Sequence, residues 1–346
     1  VLGMFLKSRK FSLKGIRILS RQFSKMRAVI VSEFGDPSVL KVGETDIPTH
    51  NPKQCLIRLH ACGVNPVDTY IRSGKYPKLP SLPFIPGKDG AGVVESIGSE
   101  VHNVKVGDRV YIFGAITGSY ADYTICNDSN VFKLPNHISF EEGACLGTPA
   151  FTAYRALFQK ANGKSGESVF IHGASGGVGL SAIELALSAG LTVVGTAGTS
   201  IGTETILKLG VKHAFNHNDP NYLQEIQALY PKGFNICLEM LASTNLSKDF
   251  QIMPSRGRIA IIGNRGEILI NPRDIMSKEL QVYGVALLQS TTEELKEASE
   301  YIGQCLEKRQ LNPLITMRYN FENAPSAHTE IINRTNLSNG NIILVP

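Results

Sequence analysis

The residues His172-Gly173-Ala174-Ser175-Gly176-Gly177-Val178-Gly179 carry the clearest chemical signal in the chain. An apolar run, SVFI, precedes them, and an apolar stretch of helical character, GLSAIELALSAG, follows. Gly173, Gly176 and Gly179 are three apart. Glycines at that spacing permit a tight turn, close approach of backbone to a pyrophosphate, and close packing of helix on strand. The helix start adds free N–H groups and the positive end of the helix dipole. The pattern predicts a dinucleotide-binding strand–turn–helix. A nucleoside-triphosphate loop of the Walker type is excluded, because no Gly-Lys-Ser/Thr follows. At the end of the next strand, sites for an unphosphorylated ribose place an Asp or Glu on the 2′-hydroxyl. Here that stretch is Gly195-Thr196-Ala197-Gly198-Thr199-Ser200, without an acid. A 2′-phosphate is therefore not repelled, which favours NADPH over NADH, although the next basic residue is only Lys208.

These residues need a sheet to hold them. SVFIHG, LTVVGTAG, HAFNH, NICLEML, RIAIIG and LQVYGVAL are buried-type strands, with helical stretches such as TETILKLG and PNYLQEIQALY between most of them. That alternation predicts a doubly wound parallel sheet. Upstream, MRAVIVSEF, QCLIRLHACGV, AGVVESIGSEV and DRVYIFGAI are strands punctuated by Gly and Pro, and predict an all-β region to about residue 150. After residue 288 a charged helix, TTEELKEASEYIGQCLEK, leads to a last strand, NIILVP. The expected organisation is a head (1–25), a β-rich unit (26–150), a nucleotide unit (151–287), and a C-terminal part (288–346).

Composition narrows the classes. The chain has 346 residues and 42% hydrophobic content, enough for two cores. No uncharged apolar run is long enough for a membrane helix. The six cysteines contain no CxxC pair, which argues against a disulfide scaffold and a Cys-only zinc cluster. Seven of the 35 basic residues lie in the first 25 positions with no acid, so the remainder has 28 basic against 30 acidic residues. That body has no global electrostatic case for nucleic acid. In the head, Lys7, Lys10, Lys14, Arg17 and Arg21 share one helical face, with Leu2, Phe5, Leu13, Ile16, Leu19 and Phe23 roughly opposite. This acid-free, Arg-, Lys- and Ser-rich segment has the composition of a mitochondrial presequence. The alternative is an upstream segment with Met26 as the working start.

From Met26 onward the chain resembles the zeta-crystallin / NADPH:quinone reductase branch of the zinc-free medium-chain dehydrogenases/reductases. The stretches that carry the resemblance are HACGVNPVDTYIRSGKY (60–76), FTAYRAL (151–157), HGASGGVGL (172–180), EMLA (239–242), NLSKD (245–249) and INPRD (270–274). The resemblance implies an α/β protein: a GroES-like β-rich catalytic domain, completed by the C-terminal segment, with a Rossmann domain inserted. It implies that NADPH lies on Ser175, Gly176, Gly177 and Val178, with Gly198 under the adenine ribose and His217 at the adenosine end. Asn245 follows the fourth strand. Ile262, Gly263, Asn264 and Arg265 end the fifth, and Val285, Ala286 and Leu287 lie beside the nicotinamide. Tyr70 is expected to touch NADPH, and Tyr76 to face the nicotinamide or the acceptor. Their phenols can stack on a flat acceptor and donate to its carbonyl. Asn65 has two readings, a hydrogen-bonding site residue or a turn residue before Pro66. Asp68 is expected to fix the loop. Lys88 is either a solvated lysine or a cation favouring charge on the acceptor.

Zinc-dependent relatives place a Cys and a His-Glu pair at the reaction centre. Here the matching seats are Asn65 and Gly87-Lys88-Asp89, and Lys⁺ cannot ligate zinc. No metal is therefore expected. Two further departures are Glu184 and Leu187, where a Gln and a polar or basic residue are usual. Two more are Gly202 and Asn336 (Arg334 is near), where bacterial relatives hold the 2′-phosphate with Lys and Arg. The implied function is NADPH-dependent reduction of a quinone, ortho-quinones foremost. The alternative is reduction of 2-enoyl thioesters or alkenals, and AU-rich RNA binding is a secondary candidate. The edge character of LQVYGVAL and the resemblance together imply a homo-oligomer, a tetramer or a dimer.

Overall fold

The structure, a computed structural model, describes residues 25–333 and 339–346. The basic head through Ser24, with Arg334 and Asn336, lies outside the described residues. Alternating burial along Lys25–Val31 (β1) and its antiparallel pairing with Leu40–Asp46 (β2) make a two-stranded ribbon. Next come Gln54–Val64 (β3), Asp89–Ile97 (β4), Arg109–Ile112 (β5), Tyr123–Asn127 (β6) and Val131–Lys133 (β7). The long β3 is the hub, pairing with β4 along one edge and with β6 along part of the other.

Six strands then alternate with helices: Ser168–Ile171 (β8), Thr192–Ala197 (β9), His213–Asn216 (β10), Ile236–Glu239 (β11), Arg258–Ile261 (β12) and Gln281–Gly284 (β13). They form one parallel sheet in the order β10-β9-β8-β11-β12-β13, with the strand order reversing beside β8. That reversal opens the crevice in which dinucleotides bind. The chain then returns to the first sheet: Ile315–Asn320 (β14) pairs with Asn341–Val345 (β15), and β15 with the Cys62–Val64 end of β3. The expected β-rich unit and parallel sheet are both present.

The stretch before residue 150 is not all β. DTYIR, read as loop, lies in a helix, Pro66–Arg72. Pro66 occupies the first turn, where its missing N–H costs nothing. Asp68 Oδ2 accepts the Asn65 N–H at 2.9 Å, closing that turn. The helix Gly147–Tyr154 runs on as a π-helical turn, Arg155–Lys160, and packs on the helix Thr292–Glu307. The latter lays Leu295, Ala298, Ile302 and Leu306 at helical spacing onto the core shared with Val169 and Ile171 of β8. Arg155, buried, pairs with Glu294 at 2.7 Å across this contact.

Candidate active site

The glycine turn lies on the seam between the two sheets. Gly173 has φ of +59°, a conformation that side-chain-bearing residues rarely adopt. A Cβ on Gly179 would stand 2.5 Å from the Ala174 carbonyl oxygen, so only glycine lets this helix pack on its strand. Gly176 is the N-cap of the helix Gly177–Ser188 and offers no side chain to its first-turn N–H groups. Those donors remain available to a pyrophosphate. From the other sheet, the Gly340 N–H donates to the Ser175 carbonyl at 2.7 Å. The C-terminal segment thereby fixes the turn to the sheet of β3.

At the adenosine end, Thr196 Oγ1 accepts the Gly173 N–H at 3.2 Å and lies 3.2 Å from His217 Nδ1. Burial, reinforced by the fields of His172 and Lys248, lowers the pKa of His217, so the ring faces the site uncharged at neutral pH. Asn218 donates to the Gly198 carbonyl at 2.8 Å. Thr199 caps the helix Ser200–Lys208 by accepting the Gly202 N–H at 3.0 Å. Among the described residues the end of β9 carries no carboxylate on Gly198, Thr199 or Ser200. Asn218 was not anticipated, although it flanks His217, and Thr196 belongs to the acid-free stretch without its contact to His217 having been expected.

Beneath the turn sits a buried polar plug that sequence reasoning missed. His172 Nε2 lies 2.7 Å from Asp249 Oδ1 and 3.7 Å from Glu239 Oε2. Glu239 Oε1 accepts the Leu241 N–H and, at 3.3 Å, the Asn245 amide. Burial pushes His172 down to about 4 and raises both carboxyls. The His172–Asp249 contact is therefore a hydrogen bond to an uncharged ring. Asn245 reaches the site through Glu239, and the plug sets the chain that leaves β11. Glu239, Asn245 and Asp249 all fall in the EMLA and NLSKD stretches, but nothing in those stretches shows that they meet His172.

At the opposite end, the Ile262 N–H donates to the Glu239 carbonyl at 2.8 Å and Asn264 Oδ1 accepts the Ser243 N–H at 2.9 Å. Arg265 Nε donates to the Tyr70 hydroxyl at 3.1 Å, joining the segment after β12 to the helix Pro66–Arg72. The Val285 N–H bonds the Ile261 carbonyl at 2.9 Å, and Ala286 leads into a short turn, Leu287–Gln289. Leu288 of that turn lines a neighbouring cavity of about 570 Å³ together with Tyr76, Asp68, Lys88, Phe84 and Ile116.

Asn65 is not on the cavity wall. It is buried, and its amide donates to Asp89 Oδ2 at 2.8 Å. Asp89 also accepts from the Thr148 N–H and hydroxyl at 2.7 and 2.8 Å, and burial raises its carboxyl to about 6. Asp68 accepts at Oδ2 from the Tyr120 hydroxyl at 3.3 Å, and that hydroxyl stands 3.0 Å from His328 Nε2. Burial raises Asp68 to about 7. Tyr70 and Arg265 thus meet in the crevice, Tyr76, Asp68 and Lys88 border the cavity, and Asn65 supports both from behind.

The donor set at this centre does not suit zinc. An amide already committed to Asp89 and an ammonium stand where thiolate and imidazole would be needed. The six cysteines are buried, and burial raises their thiols above the ordinary value. Among the described residues, His172, Glu239 and Asp249 alone form a His/Cys/Asp/Glu group whose donor atoms lie within 4.8 Å of one another, and they bond each other.

Comparison with known proteins agrees with this fold. The alcohol dehydrogenase GroES-like domain matches residues 51–136 and the zinc-binding dehydrogenase family matches residues 177–303. Human quinone oxidoreductase is 46% identical over 323 residues, covering 92% of this chain and 98% of that protein. The chain belongs to the quinone oxidoreductase family of the medium-chain dehydrogenases/reductases. Rat quinone oxidoreductase, another member of the family, is 44% identical with the same coverage of each chain. The crystal structure of Escherichia coli quinone oxidoreductase complexed with NADPH superposes with a TM-score of 0.83 at 27% identity, covering 93% of this chain and 100% of that one.

Proposed function

We propose that this protein is an NADPH-dependent quinone reductase. One observation carries the reading. An uncapped glycine turn, with no carboxylate at the end of the second strand, opens at the same crevice that Tyr70 and Arg265 span. Bound there, NADPH supplies a hydride from its nicotinamide. The first-turn N–H groups of Gly177–Ser188 hold the pyrophosphate, and Thr199, Ser200 and neutral His217 leave room for the 2′-phosphate. Tyr70 and Arg265 close the crevice over the nicotinamide, with Val285, Ala286 and Leu287 behind it. Tyr76, Phe84 and Ile116 give the neighbouring cavity a largely apolar wall, which supports a quinone as acceptor, ortho-quinones foremost.

The donor set at Asn65 and Lys88 supports catalysis without zinc, since a quinone is already electrophilic and needs no Lewis acid. The exposed edge of β13 supports a homo-oligomer, a dimer or a tetramer. The basic head supports mitochondrial import. A fusion of residues 1–30 to a fluorescent reporter is expected to reach mitochondria, and a diffuse signal would remove that reading.

The test of function is oxidation of NADPH and NADH by residues 26–346 with an ortho-quinone and a 2-enoyl-CoA side by side. NADPH-specific turnover with the quinone is expected. Turnover with the enoyl thioester alone would leave fold and cofactor in place and move the enzyme to enoyl reduction.

A further inference from the structure

Lys88 stands on the wall of the acceptor cavity, compensated only through space, by Asp89 and Asp68. It is half-buried, and its cavity is otherwise walled chiefly by apolar side chains, among them Phe84, Ile85, Ile116 and Leu288. Its ammonium makes one hydrogen bond, to the Ala115 carbonyl at 3.2 Å, and has no ion-pair partner among the described residues. The two carboxyls that feel its field are otherwise engaged. Asp89 is held by Asn65 and Thr148, and Asp68 by the Asn65 N–H and Tyr120. Burial also raises Asp68 to about 7, so near neutrality it is partly protonated and only partly offsets the ammonium. Lys88 lines this cavity together with the exposed Lys78, and an ammonium at its largely apolar wall interacts with an incoming anion more strongly than one in water.

Resting on the quinone-reductase reading, we propose that Lys88 is a catalytic and specificity-determining residue of the acceptor site. Its ammonium stabilises the oxyanion that develops on the acceptor and selects acceptors that already carry negative charge. The step balances. NADPH is oxidised by two electrons as its C–H bond breaks, and the quinone gains that hydride. The second quinone oxygen becomes an oxyanion beside Lys88, and a proton from water completes the hydroquinone.

The experiment compares an ortho-naphthoquinone with its ring sulfonate as acceptors, by kcat/KM at saturating NADPH, in wild type, Lys88→Met, Lys88→Arg and Lys78→Met. Wild type is expected to prefer the sulfonate. Lys88→Met is expected to lose that preference and about tenfold in kcat/KM with the neutral quinone, the order of one charge interaction at a partly desolvated site. Its KM for NADPH should stay unchanged, and Lys88→Arg should keep the preference. A second measurement needs no variant: raising ionic strength should reduce the wild-type preference only slightly, because a partly buried charge is weakly screened. An unchanged preference in Lys88→Met overturns the proposal. So does loss of the preference in Lys78→Met, a lysine on the exposed rim, or its collapse in moderate salt. Absence of NADPH oxidation by wild type with either quinone would refute the quinone reading itself.

Discussion

At the level of single residues, cofactor choice rests on what the end of β9 does not contain. Thr199 allows a clean test, because Asp caps a helix as well as Thr does. Thr199→Asp should keep the bond to the Gly202 N–H, and with it the helix Ser200–Lys208, while placing a carboxylate where a 2′-phosphate must lie. Two like charges about 4 Å apart repel by roughly 1 kcal/mol in water and roughly 4 kcal/mol at a partly shielded site. The ratio of kcat/KM for NADPH over NADH should therefore fall about tenfold or more with the melting temperature unchanged. A constant ratio would place the 2′-phosphate elsewhere. Tyr70 is tested differently. Tyr70→Phe removes the acceptor of the Arg265 bond and keeps the ring, so KM for NADPH should rise about fivefold, the worth of one hydrogen bond of about 1 kcal/mol. The glycines and the missing acid are visible one by one in the sequence, whereas Tyr70 and Arg265 came only from the resemblance. The His172–Glu239–Asp249 plug was not legible: its members are 67 and 10 positions apart, and only the sheet brings them together.

At the level of elements, a departure in the sequence has a structural reason. Glu184 stands inside the glycine-turn helix where a Gln is usual. It accepts from the Asn312 N–H and amide at 3.1 to 3.2 Å, tying that helix to the segment after Thr292–Glu307. Burial raises its carboxyl to about 7, above the ordinary value of 4.5. The folded state therefore binds the proton more tightly than the unfolded state. The stabilisation this gives is complete below about pH 4.5 and is lost as pH rises through about 7. A shift of that size corresponds to at most on the order of 3 kcal/mol. Glu184→Gln should remove this pH dependence, so its melting temperature should gain on wild type between pH 5 and 8. Parallel melting curves across that range would show that Glu184 is already ionised in the fold. The strands of the parallel sheet were readable as short runs of Val and Ile. The helix Pro66–Arg72 was not, because a glycine- and proline-rich neighbourhood masked its own start signal, an Asn before a Pro with an acid three residues on. β6, β7 and β14 are too short or too polar to alternate clearly, and they exist because β3, β5 and β15 offer edges to pair with.

For the whole molecule, the open question of assembly falls on β13. Its inner edge pairs with β12, and its own residues are largely exposed: Val282 is 36% accessible, which leaves an apolar side chain on an unpartnered edge. Strand geometry allows that edge to be disabled alone. The Gln281 N–H donates to the Gly257 carbonyl and the Val285 N–H to the Ile261 carbonyl, so alternation directs the intervening Val282 N–H away from β12. Proline at position 282 therefore removes an outward donor and spares the ladder to β12. If two copies extend the sheet through β13, wild type should run as a dimer or larger by light scattering at micromolar concentration. Val282→Pro should then shift toward monomer and still bind NADPH, since the glycine turn lies at β8 and the bond from the Val285 N–H to Ile261, which sets the segment beside the nicotinamide, is spared. A monomeric wild type would show that the edge is simply tolerated. An oligomer untouched by proline would place the interface on another face, and the exposed Leu269 and Met276, at 94% and 72% accessibility on the segment leading into β13, would be the next residues to replace.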